Sequence, residues 1–370
     1  METNCVYYIR FKEANLPLLR APKQDKSELD PHQALEKVIS TRINSFLEGY
    51  FLSPLGRDVA RMWIRKATVD TTGKLERIKG WILEELKVSK RNRRAFSPWQ
   101  QGCPELIPSL TARPVWQAAQ LDFLQTLNEA YPAIKQELLS LKGKTGFQPY
   151  RAPSWASESK AKDGLGSISH DAGDWNVMYL LLHNMDFSCN QELCPLTTAL
   201  VKELPNQYSH AFFSALAPGT HITKHHGPTN KKLRIHLPLI VPEVGSSLLR
   251  VGDEIISMEE GQAFVFDDSF EHEAWNNHPS QSRICLIIDI WHPELTYGEI
   301  KFLKFLQDAL LKAQKKVCSR KSGAVLQKPI ARTTERNYIG VSDDITHDDN
   351  FFSIIEQAKT IPANPTSVWS

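Results

Sequence analysis

The apolar positions of this chain fall into two textures. Over residues 31–86 they recur at intervals of three and four: Leu35, Val38, Ile39, Ile43, Phe46 and Leu47, then Val59, Met62 and Trp63, then Leu75, Ile78, Ile82, Leu83 and Leu86. That spacing gathers them on one face of successive helices. Asp30-Pro31 reads as an N-cap with proline at the first helical position. Another helix is expected over 115–141. From Gly164 the period shortens. Short β-rich runs, many of them alternating, occupy 176–182, 211–216, 233–241, 247–251, 254–257, 262–266, 272–276 and 283–291. Turn residues such as Pro218-Gly219 and Gly227-Pro228 punctuate them. Such a series predicts an all-β sandwich, jelly roll or barrel. After Pro293 the pattern returns to an amphipathic helix over 297–317. The chain thus divides into a helical region over 1–145, a β domain over 146–296, and a C-terminal helix with an acidic tail over 297–370.

Composition adds mainly exclusions. The 370 residues are 41% hydrophobic and 23% charged, ordinary globular usage that excludes wholesale disorder or a fibrous chain. Lysine plus arginine number 44 against 42 acidic residues, a balance that argues against a protein built around nucleic-acid phosphates. A basic run, Lys87, Lys90, Arg91, Arg93 and Arg94, reads as a solvated helix end and linker. Asp343, Asp344, Asp348 and Asp349 form an acidic stretch expected to be exposed. No stretch suits a bilayer span, and Arg10, Lys12 and Glu13 interrupt any signal-peptide core, so a soluble, cytoplasmic protein without a membrane partner is expected. Six cysteines are too sparse for a disulfide scaffold.

Seven of the twelve histidines lie between His210 and Pro293. Imidazoles from facing strands of a β-barrel suit an open-coordinate Fe(II) that leaves positions for a bidentate co-substrate and dioxygen. A buried arginine beyond them suits a carboxylate, which its planar fork pairs bidentately.

Three blocks carry a more specific signal: Thr220-His221-Ile222-Thr223-Lys224-His225-His226-Gly227-Pro228-Thr229-Asn230 continued by Leu233-Arg234-Ile235-His236-Leu237; Phe266-Asp267-Asp268-Ser269-Phe270-Glu271-His272-Glu273; and Asp289-Ile290-Trp291-His292-Pro293-Glu294-Leu295. With Gly173-Asp174-Trp175 upstream, they resemble the signature of the aspartyl/asparaginyl β-hydroxylase family over about residues 170–296. The resemblance implies a mainly β catalytic domain, a double-stranded β-helix or jelly roll, using Fe(II) and 2-oxoglutarate and yielding succinate and carbon dioxide. It implies His225 and His272 as iron ligands, with Gly227 where the wider superfamily has a carboxylate ligand. It places Trp175, Ser214, Arg234, His236 and Arg283 at 2-oxoglutarate, Arg283 on the distal carboxylate and Arg234 within reach of a substrate carboxyl group. Asp268 is a catalytic candidate that orients a ligand or a metal-bound water, the other reading of Asp267 and Asp268 being a capped turn at a strand end.

Several details depart from the family pattern or compete with it. Pro238 stands where a glycine is common, so its strand is expected to be at an edge or bulged there. The resemblance implies an arginine at the position of Lys232 and another basic residue at the position near His170, both expected to face substrate. His226 competes with His225 as ligand, and His221 and His292 read as structural. The resemblance also allows a disulfide between Cys189 and Cys194, though two free thiols fit better with no signal peptide. The implied substrate is an aspartyl or asparaginyl residue of a peptide or protein. The alternatives are a free amino acid or small metabolite, and a non-catalytic module that binds iron and 2-oxoglutarate.

Overall fold

The computed structural model describes residues 31–85, 97–117, 121–152, 167–321 and 351–370. The basic run at 87–94, the acidic stretch at 343–349 and Asp30 lie outside the described residues. Two compact units result, one from residues 1–94, 106–110 and 294–316, the other from 95–105, 111–293 and 317–370.

The first unit is helical, with helices Pro31–Glu48, Pro54–Val69 and Glu76–Glu85 and the start of Tyr297–Lys321. The apolar stripes meet as their spacing requires: Phe46 packs edge-on against Trp81, with ring centroids 5.4 Å apart, and Trp63 lies against Phe302. Glu299, fully buried, accepts from the backbone amides of Arg77 and Thr296.

Among its described residues the second unit contains twelve strands: β1 Val115–Trp116, β2 Gln148–Pro149, β3 His170–Ala172, β4 Trp175–Leu182, β5 Gln207–Leu216, β6 Thr220–His225, β7 Lys232–Ile240, β8 Ser247–Val251, β9 Glu254–Ser257, β10 Phe264–Phe266, β11 His272–Asn276 and β12 Arg283–Trp291. They form a seven-stranded sheet, β1-β10-β7-β12-β5-β4-β2, and a five-stranded sheet, β3-β6-β11-β8-β9, in which every strand pairing is antiparallel. From β5 to β8 consecutive strands alternate between the sheets, and they do so again from β10 to β12.

Strands β8, β9, β11 and β12 occupy the residues the pattern predicts. The helix expected over 115–141 does not begin at Val115. Residues 115–116 pair with β10, and the helix runs Phe123–Leu139. That helix, which the texture groups with the N-terminal region, packs in the core of the β unit. Strand β6, missed from sequence, is short and carries Thr-His-Ile-Thr-Lys-His, only one of which is a strong apolar residue.

Strand periodicity sorts the large sheet into two faces. Leu233, Ile235, Leu237 and Leu239 of β7 and Ile284, Leu286, Ile288 and Ile290 of β12 join a core with Leu124, Leu127, Ile134 and Leu138 of the helix Phe123–Leu139. Their neighbours in sequence turn to the opposite face, which holds the charged and polar residues. Pro238 sits on an interior strand, and the β7–β12 register shifts between Ile284 and Cys285, opposite it. The missing amide is therefore accommodated by a bulge rather than at an edge.

Candidate active site

The polar face of the large sheet is organised in rungs. One rung aligns His210, Asp289, Arg234 and Phe266 across β5, β12, β7 and β10. The next aligns Phe212, Ile287, His236 and Phe264. Then come Val177, Ser214, Cys285 and Pro238, and at the end Trp175, Leu216 and Arg283. The alternation legible in Lys-Leu-Arg-Ile-His-Leu puts Lys232, Arg234 and His236 on this face together.

The small sheet supplies His225 and His272, which are direct cross-strand partners with ring centroids 4.1 Å apart. A bulge makes this pairing. Ala274 opposes Ile222, so an unbroken register would place Lys224 opposite His272. One extra residue in β6 brings His225 there instead. Each imidazole donates Nδ1–H to a backbone carbonyl at 2.8 Å, His225 to Thr223 and His272 to Phe270. That fixes the tautomer and leaves both Nε2 lone pairs available to a metal. Burial lowers the pKa of both, His272 well below the ordinary value, so both are neutral and able to ligate at neutral pH. Among the described residues no group of three or more His, Cys, Asp and Glu side chains forms a metal-binding cluster.

Gly227 is where a third ligand would be in a His-x-carboxylate arrangement, and the space is taken. A Cβ at this position would lie 2.5 Å from Asp268 Cγ. Asp268 is fully buried, accepts from Lys232 Nζ at 2.6 Å through Oδ2, and has no partner for Oδ1. Asp267 does something different: its Oδ1 accepts from the amide and hydroxyl of Ser269, capping the turn. The capped-turn reading therefore holds for Asp267, whereas Asp268 takes Lys232 as its partner. Burial pushes Asp267 up to about 7.

Lys232 does not face an open surface. It is 2% exposed, and its ammonium lies between Asp268 and Asp289. Arg234 pairs with both Asp289 oxygens, at 2.8 and 2.9 Å, and approaches Asp268 at 3.4 Å. His210 adds a contact to Asp289 at 2.7 Å. Against the cost of burial, Arg234, Lys232 and His210 hold the Asp289 carboxyl well below the usual carboxylate range. The lysine and arginine charges balance those of the two aspartates.

At the far end Arg283 is 1% exposed. Its Nε and Nη1 have no hydrogen-bond partner, and among the described residues no carboxylate pairs with it. Nearby, Ser214 Oγ accepts from Trp175 Nε1 at 3.0 Å, which leaves the hydroxyl hydrogen for another acceptor. His236, kept neutral by burial and by the charge of Arg283, has an unpartnered Nδ1. A buried cation with convergent neutral donors is the donor set a carboxylate requires. The residues present thus fit a dicarboxylate co-substrate at this end and a divalent metal at the two histidines.

His226, His221 and His292 each have protein partners. His226 Nδ1 contacts Ser269 O, and its ring packs so closely on Gly102 that a Cβ there would lie 2.3 Å from Nε2. His221 stacks on Trp275 between Asp171 and Glu273. His292 is buried edge-on against Trp116. Cys189 and Cys194 are free thiols.

Sequence reasoning missed Tyr150, stacked on Trp175 at 3.7 Å, and Gln100, whose amide donates to Ser269 Oγ beneath the Asp267 turn. Both come from segments without periodicity.

The chain that carries this face is similar to proteins named as hydroxylases. Residues 128–293 match the model of the aspartyl/asparaginyl beta-hydroxylase family. The chain is 35% identical over 196 residues to the ornithine lipid ester-linked acyl 2-hydroxylase of Rhizobium tropici, covering 53% of this chain and 66% of that protein. It is 32% identical over 212 residues to the human aspartyl/asparaginyl beta-hydroxylase, covering 54% of this chain and 25% of the relative. It is also 36% identical over 201 residues to aspartate beta-hydroxylase domain-containing protein 2 of Xenopus tropicalis, covering 52% and 51%. A solved 2OG-Fe(II) oxygenase family protein from Burkholderia pseudomallei overlaps 45% of this chain and 90% of its own at 9% identity, but its TM-score of 0.30 is too low to bear on the argument. No helix among the described residues is long and apolar enough to cross a membrane.

Proposed function

We propose that this protein is an Fe(II)- and 2-oxoglutarate-dependent dioxygenase built on a double-stranded β-helix, which hydroxylates the β-carbon of an aspartyl or asparaginyl residue in a peptide or protein. The observation that carries the reading is Arg283, a buried guanidinium with two unpartnered donors on the polar face of the large sheet, together with the cross-strand histidine pair of the small sheet. The alternation of strands between the two sheets supports the β-helix.

His225 and His272 hold the metal through Nε2. Arg283, Ser214 and His236 hold the distal carboxylate of 2-oxoglutarate, with Trp175 fixing the Ser214 hydroxyl and Tyr150 closing over the indole. Fe(II) with 2-oxoglutarate supplies dioxygen activation, placing one oxygen atom in a C–H bond and the other in succinate as carbon dioxide leaves. Asp268, held by Lys232, would have Oδ1 free to accept a hydrogen bond in the site. Arg234, fixed by Asp289, bounds the substrate side and orients its polar group. The buried walls keep bulk water from the reacting centre.

A second reading is hydroxylation of a lipid acyl chain or another small molecule. It is favoured by the Rhizobium relative, of which this chain covers 66%. The test measures succinate formation from 2-oxoglutarate with Fe(II) in air, with peptides containing Asp or Asn and with acyl lipids. Peptide-stimulated turnover with one added oxygen on the peptide is expected. Stimulation by lipids alone selects the second reading, and absence of turnover in protein that holds iron refutes both.

A further inference from the structure

The residues that line the 2-oxoglutarate end have immediate neighbours on the opposite face of the sheet, and a distant segment holds those neighbours. Trp175, Leu216 and Arg283 form one rung across β4, β5 and β12. Since side chains alternate along a strand, Asn176 beside Trp175 and Ser282 beside Arg283 turn to the back. Asn176 Nδ2 donates to Ser367 Oγ at 3.2 Å, a bond buried on both sides. The Ser282 amide donates to the carbonyl of Ser370 at 2.8 Å. Ser282 Oγ contacts Ser370 Oγ at 3.0 Å and donates to Ser367 O at 3.4 Å.

The segment that makes these bonds is itself firmly placed. Asn364 caps the helix Pro365–Trp369. Val368 is 1% exposed in the main core, the Ala363 amide donates to Phe147 O at 3.0 Å, and Trp369 packs edge-on against Phe147. Residues 363–370 lie beyond the stretch matched by the family model, which ends at residue 293.

We propose that residues 363–370 are a positioning element for the 2-oxoglutarate pocket, pinning from behind the two strand ends that present Trp175 and Arg283. This inference rests on the reading of that pocket given above. The segment touches neither metal nor co-substrate. It acts through Asn176 and Ser282, narrowing the arrangements of the terminal rung to the one that binds a carboxylate. Releasing it lowers the competent fraction, and the apparent Kd for 2-oxoglutarate rises by the inverse of that fraction.

The test uses the full chain loaded with Zn(II), which has no redox chemistry, and reads 2-oxoglutarate binding by calorimetry rather than by turnover. Ser367→Ala and Asn176→Ala are expected to weaken 2-oxoglutarate about fivefold, the worth of one hydrogen bond, with Zn(II) affinity within about twofold of wild type. Ser367→Thr, which keeps the hydroxyl, is expected to restore binding. If Ser367→Ala does not fold, Ser282→Ala, which spares the bonds inside the tail, carries the same measurement. Unchanged 2-oxoglutarate affinity overturns the proposal, as does a parallel loss of Zn(II) and 2-oxoglutarate affinity, which marks general loosening. Failure of the wild-type protein to bind 2-oxoglutarate refutes the proposed function itself and is a separate outcome.

Discussion

Replacing Arg283 by methionine separates binding from folding. The guanidinium is 1% exposed, and Nε and Nη1 lack partners, so the ligand-free protein carries buried donors that water solvates in the unfolded chain. Each unsatisfied donor costs about 1–3 kcal/mol, and an uncompensated charge adds to this. Methionine fills much of the same volume, which limits the cavity term. The ligand-free Arg283→Met protein is therefore expected to be at least as stable as wild type, with a gain of up to a few kcal/mol. With 2-oxoglutarate the order reverses. Wild type gains about 2.7 kcal/mol at 100 times Kd, whereas the variant at the same concentration gains at most about 0.9 kcal/mol, because losing a buried charged partner costs about 2–5 kcal/mol of binding. Urea unfolding of both proteins, with and without 2-oxoglutarate, measures the two effects together. A ligand-free variant destabilised by more than about 2 kcal/mol would show that the guanidinium already has a partner in the protein. An undiminished ligand response would show that another cation holds the carboxylate.

Four further outcomes follow from the same geometry. His225→Ala and His272→Ala should each lose bound metal, read by elemental analysis, and abolish turnover with little change in circular dichroism; a variant that keeps both metal and activity reassigns the ligands. Stability of the metal-free protein should be full above about pH 6.5 and fall as pH drops through that value, because burial lowers the folded pKa of His225, His272, His236 and His210 and the unfolded chain then binds more protons. Asp267, held up at about 7, opposes this trend as one group against four, and urea midpoints across that range give the net sign. Lys232→Met removes the cation between Asp268 and Asp289 and should destabilise by about 3–5 kcal/mol in urea unfolding, a near-neutral result meaning that Arg234 alone compensates both carboxylates. Gly227→Ala puts a Cβ 2.5 Å from Asp268 Cγ and should cost about 1–3 kcal/mol and weaken metal binding; unchanged metal affinity would separate Asp268 from the metal site.

The sequence by itself determined the β texture of residues 175–291 and the face of most of its residues, because a strand alternates with a period of two. Lys-Leu-Arg-Ile-His-Leu already assigns Leu233, Ile235 and Leu237 to one side and Lys232, Arg234 and His236 to the other, and the structure keeps that division. The candidate site residues other than Ser214 and Arg283 lie in the motif blocks. Their arrangement was decided in three dimensions. Alternation alone sends His225 away from Ile222, and only the extra residue in β6 turns it toward His272. A bulge is a relation between two strands and leaves no mark in either one. The same holds for Asp267 and Asp268. They are identical side chains in adjacent positions, yet one caps a turn and the other meets Lys232, because each takes the partner that folding brings to its side. Tyr150, Gln100 and Ser367 lie on segments without periodicity, far along the chain from the strands they serve. Contacts of that kind depend on which surfaces close against one another, a property of the packed tertiary structure alone.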